Sequence, residues 1–166
     1  GHRTATATSQ LLIPRPLTFA VAGVAAGYLV ARIGVRVIAA VGTALVVASL
    51  VAMSLVSTHL SIPLVLAAIA VSGLGMGAVQ PALSTTVANA VDDVDLGVAG
   101  ATIQMVAQIA TSLGMNLLDS LEAGMADRVG AAHAYSNAYL IGAAITAVGV
   151  AAAWMLPRRP ARAATR

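Results

Sequence analysis

Cysteine and lysine are both missing from this chain, and charge of either sign is scarce. The absence of cysteine excludes disulfides, thiolate metal sites and cysteine nucleophiles. Aromatic residues make up 3% of the sequence, too few for a platform on which nucleic-acid bases stack. Charged residues make up 9%, where a soluble domain carries about a quarter. The net charge is +3, and every basic side chain apart from histidine is an arginine. Those arginines fall at the ends of apolar stretches, so the sequence points to no nucleic-acid partner.

What remains is apolar: 59% of residues, with a mean hydropathy of +0.91. No charged side chain occurs between Arg36 and Asp92, between Asp95 and Asp119, or between Arg128 and Arg158. A bilayer core of ~30 Å needs about 20 helical residues. The first interval holds a helical hairpin and each of the others one span. The expectation is an all-α integral membrane protein of about five transmembrane helices, over residues 11–31, 37–56, 63–90, 97–118 and 138–156. Residues 1–10 read as a loop remnant on the outer side, 119–137 as a longer outer loop, and 157–166 as a basic tail. Pro14 and Pro16 suit an opening helical turn, where a missing N–H matters least.

Orientation follows from the arginines, which concentrate on the cytoplasmic side. A cytoplasmic tail places Arg32, Arg36, Arg158, Arg159, Arg162 and Arg166 inside, leaving Arg3, Arg15 and Arg128 outside. The chain is then a multi-pass protein of the plasma or inner membrane, with its C-terminus in the cytoplasm. A bundle with an odd number of spans that starts outside leads to the expectation of a missing N-terminal portion.

Two helices carry polar stripes. In the third, Gln80 and Ser84 share a side with Gly73 and Gly77 at 100° per residue. In the fourth, Gly97, Gly100, Gln104, Gln108, Thr111 and Met115 fall along one face. Amides facing lipid are costly, so these stripes face protein or water. They either wall a substrate pathway or join helices by hydrogen bonds. The second and fifth spans lack such a stripe and read as outer, lipid-facing helices, which leaves the cavity to the first, third and fourth. Pro81 cannot bond the Gly77 carbonyl, so a kink is expected there, serving as a hinge or as static packing. Gly73 and Gly77, like Gly23 and Gly27, sit one turn apart, as close helix packing requires. Arg32, Gly34 and Arg36 form a short basic turn, read as a cytoplasmic gate or as a plain topology signal.

Several of these stretches, in order, resemble one family. Gly27–Arg36 (GYLVARIGVR) is similar to the G-x-L-x-D-R-x-G-R-R turn of the major facilitator superfamily, with Ala31 at its acidic position and Val35 at a basic one. Residues 11–29 resemble the preceding helix in the fourteen-helix drug:proton antiporters, and residues 72–91 and 97–118 two later helices. The resemblance implies the last five helices of such a transporter, a partial C-terminal half of the bundle. It also implies alternating access, with proton influx driving export of lipophilic or cationic small molecules.

The sequence suggests no chemistry of the chain's own. No Asp, Glu, Lys, Arg or His sits in the middle of an expected span, so no proton-coupling site is expected in this segment, and Asp119 and Glu122 read as solvated loop charges. His59 and His133 lack the partners of a metal site, and neither lies in a span to serve Ser72 as a base. The expectation is no enzyme, no metal and no cofactor. The competing reading is a complete small membrane scaffold, or a self-assembling subunit without transport chemistry.

Overall fold

The computed structural model describes residues 14–56 and 61–155, and those residues are almost wholly helical. Five helices follow in order: α1 (Pro14–Ile33), α2 (Val35–Val56), α3 (Ile62–Ala88), α4 (Leu96–Val129) and α5 (Ala131–Trp154). A 3-10 turn at Asp93–Asp95 precedes α4. Each of the five is long and apolar enough to cross a membrane. His59 and the expected terminal segments 1–10 and 157–166 lie outside the described residues.

Helices are the only open-ended element that satisfies every backbone group without water. The hydroxyls in these apolar segments are satisfied locally too. Thr43, Ser72, Thr111 and Thr146 donate to the carbonyls of Ala39, Ile69, Ala107 and Gly142 at 2.8 Å. Two junctions consist of a single glycine. Gly34 (φ 90°) turns α1 into α2, and Gly130 (φ 81°) turns α4 into α5. Side chains with a Cβ avoid that backbone region, so each junction needs glycine.

Sequence neighbours are not packing neighbours throughout. α3 packs against both α1 and α2, α2 also packs against α5, and α5 packs against α4. Contacts of α1 with α2 and of α3 with α4 are sparse. The tight interfaces are built on absent side chains. A Cβ on Gly42 would stand 2.9 Å from the Gly75 carbonyl, and one on Gly75 would stand 2.7 Å from the Gly42 carbonyl. A Cβ on Gly73 would meet Thr18 and the Arg15 carbonyl, and one on Gly77 would meet the Phe19 carbonyl. In lipid, where no hydrophobic force drives helices together, such close backbone approach is the main source of association.

Three expectations change. Residues 119–137 form no long loop: α4 runs on to Val129 and α5 begins at Ala131. Residues such as Ser120, Leu121, Glu122 and Ala123 propagate a helix, and only Gly130 interrupts it. Second, α2 is not an outer helix. It lies between α3 and α5, with Ala39, Ala40, Gly42, Ser49 and Ser54 buried, because its small residues admit neighbours on two sides. Third, Gly27 is exposed with nothing near its missing Cβ, whereas Gly23 faces the Gly77 carbonyl.

Candidate substrate cavity

All five helices contribute to one open cavity of about 410 Å³. Its lining comprises Phe19 of α1, Thr43 and Val46 of α2, and Met76, Val79 and Gln80 of α3. Gln104 and Ala107 of α4 and Thr146 of α5 complete it. Gln80 and Gln104 also line a second cleft of about 420 Å³ between α3 and α4, together with Ser84, Gly100 and Ile103. Both volumes are in the range of small-molecule sites, which are mostly apolar with a few placed polar groups. The sparse packing of α3 on α4 is what leaves this space open.

The structure brings Gln80, Ser84 and Gln104 to one cleft. Gln108 and Thr111 are exposed and line neither cavity. None of Gln80, Gln104 and Gln108 hydrogen-bonds another described residue. Among the described residues the side-chain amides therefore make no inter-helix ties. Thr43 and Thr146, which sequence reasoning missed, reach the cavity because α2 lies between α3 and α5. Nothing in their single-helix patterns marked them.

Pro81 sits inside α3, which continues past it to Ala88. The Gly77 carbonyl that Pro81 leaves unbonded lies 3.7 Å from where a Cβ on Gly23 would be. The backbone of α1 thus covers it, as an apolar setting requires.

The basic turn lies at one end of the bundle. Arg32 stacks on Tyr28 of its own helix, its guanidinium carbon 4.8 Å from the ring centroid. Arg36 reaches across to α5, 4.6 Å from the Trp154 centroid. The buried Nε of Arg36 has no hydrogen-bond partner among the described residues. Asp92, Asp93 and Asp95 are exposed at the same end. They precede the N-terminus of α4, where the helix dipole favours negative charge.

Asp119 and Glu122 are not loop charges. They belong to α4, inside the apolar segment Asp93–Met125. The neighbouring Leu118 lies 3.3 Å from a Cβ built on Gly142, halfway along α5. His133 is likewise helical, in the first turn of α5. Among the described residues no cluster of His, Asp or Glu has the makings of a metal site.

Arg15 departs furthest from expectation. Its carbonyl and Thr18 meet the site of a Cβ on Gly73. At 1.5 Å per residue, Gly73 lies about 17 Å from Ile62 and about 23 Å from Ala88, the ends of α3. Arg15, exposed in the first turn of α1, is therefore level with the middle of α3, and its guanidinium donates to Met76 Sδ at 3.2 Å.

The family model described as the Major Facilitator Superfamily matches residues 4–166. The chain belongs to that superfamily. Members of the superfamily are transporters, so this is a multi-pass membrane protein of a transport family, and its five helices form part of a superfamily bundle. No curated protein and no solved structure matches the chain.

Proposed function

We propose that these helices form the C-terminal part of a proton-coupled efflux transporter, with the open cavity as one wall of the substrate pathway. The observation that carries this is a cavity lined by all five helices, into which the amides of Gln80 and Gln104 bring hydrogen-bonding capacity that no described residue uses. Apolar walls with a few unspent polar groups suit lipophilic small molecules. Ser84 extends the polar stripe along α3, and Gln108 and Thr111 continue it on α4 beyond the cavity. The drug:proton antiporter branch, the missing N-terminal portion and the cytoplasmic C-terminus rest on the motif resemblance and the arginine distribution. In this reading Gly73, Gly77 and Pro81 form a hinge, while Arg32, Gly34 and Arg36 form the cytoplasmic gate turn.

Efflux of a lipophilic dye from cells carrying the complete gene tests the reading. Gln80→Leu and Gln104→Leu should each change transport rate or dye selectivity several-fold, with helical content unchanged. Unaltered efflux and selectivity in both variants would remove the cavity from the pathway.

A further inference from the structure

A guanidinium at the level of the middle of a membrane bundle is expensive, and ionisable groups at that depth mark substrate or ion pathways. Arg15 has that position through its contacts with Gly73 and Met76. Arg15 is not itself part of the cavity lining, but two of its neighbours are. Phe19, four residues on and hence on the same face of α1, lines the cavity. Met76, which accepts the guanidinium hydrogen bond, lines it as well.

No described carboxylate pairs with Arg15. The acidic turn Asp92–Asp95 lies at the end of the bundle. On α4, Asp119 is about 18 Å of helix beyond Ala107, which lines the cavity. A thioether accepts a hydrogen bond weakly and neutralises no charge. The cavity edge is therefore positive and apolar, with capacity left on a planar donor fork that matches a carboxylate.

We infer that Arg15 is a binding residue for an anionic group, so that the cavity takes lipophilic organic anions in preference to neutral or cationic analogues. This rests on the proposed cavity reading and narrows it: the apolar body of the substrate lies among Phe19, Met76 and Val79, and its carboxylate meets Arg15.

The experiment is equilibrium binding of pyrenebutyrate and of its neutral primary amide to the protein expressed from its complete gene. The protein is held in lipid nanodiscs, with protein-free nanodiscs subtracted. The carboxylate should bind at least about tenfold more tightly than the amide, as a charge-assisted hydrogen bond in an apolar site implies. Arg15→Gln should erase that preference and leave amide binding intact, while Arg15→Lys should keep part of it. Equal binding of the two probes to the unmodified protein would overturn the role of Arg15 and spare the cavity. So would a preference that survives in a folded Arg15→Gln variant. Binding of neither probe would overturn both. The comparison on the unmodified protein decides the matter even where Arg15→Gln fails to fold.

Discussion

Arg36, in the first turn of α2, lies over the ring of Trp154 at the end of α5, with its guanidinium carbon 4.6 Å from the centroid. The pair closes one end of the α2–α5 interface. A partly exposed cation–π contact contributes about 0.5–1 kcal/mol. Trp154→Ala should lower the thermal midpoint in detergent by a few degrees, and Trp154→Phe by less. Trp154 is the only tryptophan of the chain, so its fluorescence reports on the contact directly. Arg36→Ala should shift the emission, and an unchanged spectrum would contradict the stacking.

Glycines of similar sequence context should respond oppositely to alanine. At Gly73 and Gly77 the added methyl meets backbone carbonyls of α1, which cannot move without displacing that helix. Each substitution should cost about 1–3 kcal/mol, the usual range for overpacking. At Gly27 the methyl meets nothing. There Ala should stabilise by up to about 1 kcal/mol through helix propensity. Unfolding midpoints of the three variants check the contrast.

That contrast shows what the sequence made legible. Charge-free runs reveal helices because a membrane tolerates nothing else, and the spacing of Gln80, Ser84 and Gln104 placed the polar faces. Spacing alone gave Gly23 and Gly27 equal standing, although only Gly23 meets α3. The depth of Arg15 was hidden for a similar reason. It depends on the register between α1 and α3, which Gly73 and Gly77 set by contact across the chain. The run after Leu118 was misread because Asp119 and Glu122 resemble loop residues in composition. Helix propensity continues through them until Gly130.

Pro81→Ala would restore an N–H aimed at the Gly77 carbonyl, which Gly23 covers at present. The variant should unfold at a higher temperature and transport more slowly if the turn flexes during the cycle. Turnover and thermal midpoint measured together separate a hinge from static packing, since static packing predicts no loss of turnover.

The position of Asp119 and Glu122 on α4 makes them candidates for proton coupling in the proposed antiporter. Asp119→Asn and Glu122→Gln should abolish or reduce substrate accumulation driven by a pH gradient. Downhill substrate movement should persist. Retention of gradient-driven uptake in both variants would leave coupling to residues elsewhere in the transporter.

The backbone contacts of Gly42 with Gly75, and of Gly73 and Gly77 with α1, bind three helices through their least compressible parts. At each of those contacts a backbone carbonyl lies close to the glycine, and it cannot change rotamer to absorb a displacement. α1 and α2 should therefore move as one plate with the part of α3 up to Gly77, and a flexing turn at Gly77–Pro81 would act beyond it. α4, which barely touches α3 and has no buried residues along its apolar segment, is left to take up the change of shape. In the proposed transport cycle, then, Gln104 should move relative to Gln80. The distance between those two amides becomes the coordinate along which the cavity opens and closes, and paired spin labels at 80 and 104 would record it.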